Sequence, residues 1–251
     1  MEFSLVDYLI GFLASFVAGF IDTIVGGGGL ITLPVILGLG VPLQLAVATG
    51  KLQATMAAIS GVFSLRKQIS FKNLGIGVFF TAIFSALGSY VLLKVPNENA
   101  MPLVLFILIS VFLYTIFKPD LGGIERKAKI KQSIFLIIFG SVIGFYDGFI
   151  GPGTGSFWIL AFVTLLGINI KQASINTKVL NTTSNIFSLI FFICFYEILY
   201  KLGIIMGIGG ILGAYLGGKC LLKINVKLVR KAFILIVFCT ICKLIYSNFF
   251  N

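Results

Sequence analysis

The sequence predicts an all-α polytopic membrane protein of two inverted-topology repeats, each with four to five membrane segments and short, glycine-broken helices near the midplane. Three observations predict it. The first is composition: 59% of the 251 residues are hydrophobic, 11% are charged and the mean hydropathy is +1.11, far outside the soluble range. The second is a series of apolar runs at 5–25, 74–93, 100–117, 132–150, 182–196 and 226–247, most of them near the ~20 residues that carry a helix across a ~30 Å hydrocarbon core. The third is internal repetition.

The first run starts MEFSLVD, without a basic leader or a small-x-small cleavage pattern, and reads as a retained helix. The next element carries the break: AGFIDTIVGGGGLITLP at 18–34 aligns with IGFYDGFIGPGTGSFWI at 143–159. Gly19, Asp22, Gly26 and Gly28 meet Gly144, Asp147, Gly151 and Gly153 at an offset of 125. After two residues of slippage, Gly40, Ala46 and Lys51 meet Gly167, Ala173 and Lys178 at 127, and LGSY at 87–90 meets LGAY at 212–215. The expected units are a first transmembrane repeat at 1–117, a basic cytoplasmic linker at 118–131 and a second repeat at 132–251.

In each half a short apolar run follows the break, LITLPVILGLG and FWILAFVTLLG. At 1.5 Å per residue such a run makes ~16 Å of helix, about half a membrane. Short, Gly/Pro-interrupted segments at matching places in two halves mark the binding region of many transporters. Two arrangements satisfy loop parity: every segment crosses, or the short segment and its successor return as a re-entrant hairpin. Loop charge assigns the orientation. Arg66, Lys67 and Lys72 lie in the third loop of the first half, whereas Lys219, Lys223, Lys227, Arg230 and Lys231 lie in the fourth loop of the second. Equivalent loops then face opposite sides, so the halves are inverted.

The net charge of +11 follows from these loop lysines and arginines and does not imply a nucleic-acid partner. The partners expected are a small anionic substrate and the lipid bilayer, with a proton as the coupling ion; oligomeric state is left open. Cys194, Cys220, Cys239 and Cys242 lie in or beside apolar stretches and read as packing residues. Histidine is absent, which removes the commonest metal ligand and general base. No cofactor, metal or catalytic residue is expected, and with no nucleophile–base pair the chain is not read as an enzyme.

Charge inside apolar sequence costs ~2.5–3.5 kcal/mol at a helix centre on insertion scales. Asp22, Asp147, Lys51 and Lys178 are the four deepest charges and form two repeat-related pairs. Asn181, Thr182 and Asn185 follow Lys178 at i+3, i+4 and i+7, one polar stripe on a helix; after Lys51 only Thr55 follows at i+4. The expected substrate site is therefore Lys51 and Lys178 with Gly26, Gly27, Gly28, Gly151, Gly153 and Gly155, whose amides and helix N-termini favour an anion. Thr154, Ser156, Asn176 and Asn181 are candidate hydrogen-bond donors, and Asp22 and Asp147 candidate proton-coupling groups. The bland alternative makes the aspartates and lysines structural partners of one another.

These residues carry a resemblance. FIDTIVGGGGLITLP, ATGKLQ, GFYDGFIGPGTGSF and TKVLNTTSNI look like the motifs of the sulfite exporter TauE/SafE family, also called the toluene sulfonate uptake permeases, over essentially the whole chain. The resemblance implies a carrier of the bacterial inner membrane for sulfite, sulfonates and related sulfur anions. One departure stands out: many members read small-Thr-Ser where this chain has Thr49-Gly50-Lys51 and Asn176-Thr177-Lys178. The expected function is a secondary transporter, an exporter of a small sulfur anion working by alternating access. A passive anion channel or a membrane scaffold are the rivals.

Overall fold

The computed structural model describes residues 2–70, 74–96 and 127–221, with parts of 102–113 and 223–246. Linker residues 118–126, together with Lys72, Glu98, Lys227 and Arg230 of the charged loops, lie outside them. Eight helices order the described chain: α1 (Leu5–Ile24), α2 (Gly29–Gly38), α3 (Leu43–Leu65), α4 (Gly75–Leu92), α5 (Gln132–Phe149), α6 (Thr154–Leu165), α7 (Ile170–Phe195) and α8 (Tyr200–Leu221). The described residues of 102–113 and 231–246 include further helical turns. Among the described residues, α1, α4, α5, α7 and α8 are long and apolar enough to cross a membrane. The short helices α2 and α6 have 10 and 12 residues.

Local chemistry sets the ends. Ser4 and Asp7 form a reciprocal capping box at the start of α1. Both short helices stop the same way: Gly40 (φ 78°) and Gly167 (φ 70°) adopt the left-handed conformation just past α2 and α6, where a Cβ would be strained. Pro42 and Asn169 then open α3 and α7. The Asn169 side chain accepts from the Gln172 amide at 2.9 Å.

Packing relies on small residues, as expected where lipid offers no hydrophobic drive between helices. Gly209, Gly213 and Gly217 of α8 sit against the carbonyls of Phe12, Phe16 and Phe20 of α1, one turn apart, and a Cβ at any of them would collide. On the other side, Gly140, Gly144 and Gly148 of α5 lie against Gly77, Thr81 and Ser85 of α4. Thus α1 packs on α8 and α4 on α5, while α3 packs on α8 and α4 on α7. Exchanging the two halves maps this set of contacts onto itself. Helices α3 and α7 meet each other at the centre.

Apolar side chains point outward in helical stripes: Phe79, Ile83 and Leu87 on α4, Ile134, Ile138 and Val142 on α5, and Ile204, Ile208 and Leu212 on α8. Such a belt suits lipid, and with the helix lengths it describes a multi-pass membrane protein. Inside, Trp158 and Phe162 of α6 stack at 5.6 Å and pack on Phe135 of α5, fixing the short helix in an aromatic core.

Candidate functional site

The two glycine breaks cross each other at the centre of the bundle. Gly26 (φ 76°) and Gly27 (φ 95°) interrupt the chain before α2; Gly151 (φ 94°) and Gly153 (φ 87°) do so before α6. A Cβ at Gly155 would come within 2.7 Å of the Gly26 Cα, and one at Gly29 within 3.1 Å of the Pro152 Cα. The crossing is tied by hydroxyls: Ser156 donates to the Val25 carbonyl at 3.3 Å and Ser174 to the Ile24 carbonyl at 3.0 Å. Tyr146 donates to the Pro152 carbonyl at 2.5 Å. Backbone that has left helical geometry is thereby buried in protein, the condition for its existence at membrane depth.

Each short helix begins beside a carboxylate. Asp22 Oδ1 accepts from the amides of Gly27 and Gly28, both at 3.0 Å, so Asp22 itself takes the anion position at the N-terminus of α2. Asp147 Oδ1 accepts from the Thr154 hydroxyl at 3.0 Å, and Asp147 Oδ2 from the Ser184 hydroxyl.

The lysines reach across the halves. Lys178 of α7 pairs with Asp22 of α1 at 2.5 Å, and Lys51 of α3 pairs with Asp147 of α5 at 3.1 Å. Lys51 Nζ also donates to the Asp147 carbonyl at 2.5 Å and to Asn185 Oδ1 at 3.3 Å, which uses all three ammonium hydrogens. Lys178 has Asp22 as its one polar partner among the described residues. Its stem passes over Gly61, where a Cβ would strike it. Two positive and two negative groups thus balance in a buried cluster.

A cavity of about 80 Å³ lies against this cluster, room for a few waters or one compact ion. Of the sequence-predicted residues, Asp22, Gly27, Gly28, Lys51 and Asp147 line it, as do Gly151, Gly153, Thr154, Gly155 and Asn181. Four others do not. Gly26 and Ser156 build the crossing behind the wall, and Lys178 lies behind Asp22. Asn176 is half-buried off the cavity wall, its Oδ1 accepting from Gln172 Nε2 at 3.0 Å. Thr55 and Thr182 bond back to the carbonyls of Lys51 and Lys178 at 2.7 and 2.6 Å, a matched local device of α3 and α7.

Sequence reasoning missed Ser184, Gln53 and Gly61. Ser184 was within reach of the helical periodicity, since Asn181, Ser184, Asn185 and Ser188 recur at i, i+3, i+4 and i+7. Gln53 stands only two residues from Lys51, off the stripe that ends at Thr55, yet both line the cavity. The reason is that α3 is enclosed on several sides at once: Lys51, Gln53 and Thr55 are all buried.

A family profile described as sulfite exporter TauE/SafE matches residues 11–244. Similar proteins include a "probable membrane transporter protein" of Haemophilus influenzae, 38% identical over 239 residues that cover 94% of both chains. "Probable membrane transporter protein YfcA" of Escherichia coli K12 is 36% identical over 94% of this chain and 89% of its own. "Probable membrane transporter protein ORF9" of a Sinorhizobium species is 34% identical over 94% of this chain and 90% of its own. No solved structure matches.

Proposed function

The chain belongs to the sulfite exporter TauE/SafE family of membrane transporters, and from that premise we propose that it is a secondary carrier of a small anion of the sulfur-oxyanion or organosulfonate class. It exports the anion across the bacterial inner membrane together with a proton, driven by the anion's own outward gradient, and its chemistry is transport, not catalysis. The observation that carries this reading is the exchange of ion pairs between the halves, Lys51 with Asp147 and Lys178 with Asp22, beside a cavity bounded by two broken helices.

The mechanism follows from charge balance. With both aspartates ionised, each lysine is neutralised and the site repels an additional anion. A proton on either carboxylate weakens its hold on the lysine, and the ammonium then has charge to offer an anion in a low-dielectric cavity. Loss of the proton on the other side returns the lysine to its aspartate and expels the anion. The contact pattern that survives exchange of the two halves supports two equivalent repeats, loop charge supports their inversion, and a swap between two near-equivalent packings would be the alternating-access step.

The test is uptake of labelled sulfite by proteoliposomes under an imposed proton gradient. Removing one member of a buried pair strands the other, so the informative variant is the double Lys51→Met/Asp147→Asn, which removes both charges. Wild type is expected to show saturable uptake that follows the gradient and supports counterflow; the folded double variant is expected to lose it. Non-saturating flux without counterflow would make the protein a channel, and absence of flux with every sulfur anion would overturn the reading.

A further inference from the structure

We propose that Gln53 is the residue by which the cavity discriminates among anions, an inference that rests on the transport reading above. Gln53 is 3% exposed and lines the cavity, and its carboxamide has no hydrogen-bond partner among the described residues. The charged groups on the cavity wall already have partners: Lys51 bonds three oxygens, Asp147 bonds Ser184, Thr154 and Lys51, and Asp22 bonds two amides and Lys178. Lys178 keeps ammonium hydrogens to spare, but behind Asp22 and off the cavity wall; on the wall itself two neutral amides have capacity left. Asn181 also lines the cavity; its Oδ1 accepts from Asn185 Nδ2 at 3.5 Å while its own amide hydrogens have no partner among the described residues. One carboxamide comes from α3 and the other from α7.

The position is not polar because the repeat requires it. At the 127-residue offset the counterpart of Gln53 is Leu180, which packs near Gly77 and Leu136. Gln53 has room for its polar end because residue 210 of α8 is glycine: a Cβ there would lie 2.9 Å from Gln53 Nε2. A carboxamide that faces the cavity without a protein partner keeps its donor and acceptor capacity for a ligand, and an oxygen of the bound anion takes it up. Lysine charge then attracts any anion, while Gln53 separates one that presents an oxygen at that point from one that presents a methyl group. A site built to hydrogen-bond its substrate rejects the analogue lacking the group far more strongly than an apolar pocket rejects an extra atom.

Sulfate and methanesulfonate differ in this way, with one oxygen replaced by CH3. Calorimetric binding of each to the purified full chain, wild type against Gln53→Met and Gln53→Asn, reads the discrimination. Their charge difference is the same in every protein, so a change in the affinity ratio reports the side chain. The ratio favouring sulfate is expected to fall roughly 10- to 100-fold in Gln53→Met, which fills similar volume, and by less in Gln53→Asn, which keeps the carboxamide on a shorter stem. An unchanged ratio, or equal weakening of both anions, overturns the role of Gln53 and leaves the transport reading standing. Failure of wild type to bind sulfate, methanesulfonate or sulfite overturns both.

Discussion

The two ion pairs are repeat partners, but they are held in different ways. Lys51–Asp147 is the more enclosed, touching only the cavity: its side chains are 5% and 4% exposed, and Asn185, Ser184 and Thr154 bond to it. In Lys178–Asp22 the lysine is as deeply buried at 3%, but Asp22 is 16% exposed and the remaining partners are two backbone amides. The cause is legible in the helices: Asn181, Ser184 and Asn185 of α7 stand where α3 has Ala54, Ala57 and Ala58 at the 127-residue offset. Equal charges stand at matching positions, and the different helix neighbours around them make one pair the more tightly held strut and leave the other less constrained.

The largest test of that contrast is Asp147→Asn. It strands Lys51 against a neutral group, and breaking a buried pair from one side costs about 3–5 kcal/mol. Thermal unfolding in detergent should show a large loss of stability, most of it regained in the double variant Lys51→Met/Asp147→Asn. Asp22→Asn should cost less, about 1.5–3 kcal/mol, because the asparagine oxygen can still accept from Gly27 and Gly28 and because Asp22 is nearer solvent. Equal losses from the two asparagine variants would erase the distinction between strut and labile pair.

Ser184→Ala sharpens it further. The hydroxyl is fully buried and donates to Asp147 Oδ2, so its removal leaves one carboxylate oxygen unmatched. The expected cost is about 1.5 kcal/mol, the lower end for a hydrogen bond to a charged group, measured by the same unfolding assay. At the equivalent place α3 already carries Ala57, so the other pair has no such bond to lose. A silent Ser184→Ala would mean that Lys51 and Thr154 alone hold Asp147.

How much of this could be read from the chain depended on whether the signal was local. The capping glycines Gly40 and Gly167, the half-length helices between break and cap, and the duplicated Asp and Lys positions are all short-range patterns, and the sequence displays them plainly. The identity of each lysine's partner is not short-range. Lys51 bonds a residue 96 positions away and Lys178 one 156 positions away, and nothing in spacing distinguishes cross-half pairing from pairing within a half. Gln53 was hidden for a different reason. Amphipathic reasoning assumes one buried face, and α3 is surrounded by α2, α7 and α8, so residues two apart both look into protein. The glycine of α8 that makes room for its amide, Gly210, reads in sequence only as one more small residue on a packed face.

The smallest expected effect is the most selective. Gly61 of α3 has no turn to make and its helix continues past it; what it provides is a groove for the Lys178 stem. A methyl group in Gly61→Ala would strike the Cε of Lys178 and come 3.2 Å from Thr23 Oγ1. The atoms it meets belong to a flexible chain, so the stem can shift, and the cost should sit near 1 kcal/mol, the low end for overpacking. The displacement falls on the Lys178–Asp22 pair, since the nearest atoms to that methyl belong to Lys178 and Thr23 and none to Lys51 or Asp147. Transport should therefore change in its dependence on the proton gradient by more than the melting temperature changes. If Gly61→Ala instead lowers stability as much as Asp147→Asn while leaving that dependence intact, the second pair is a strut like the first, and the asymmetry between them is only one of shape.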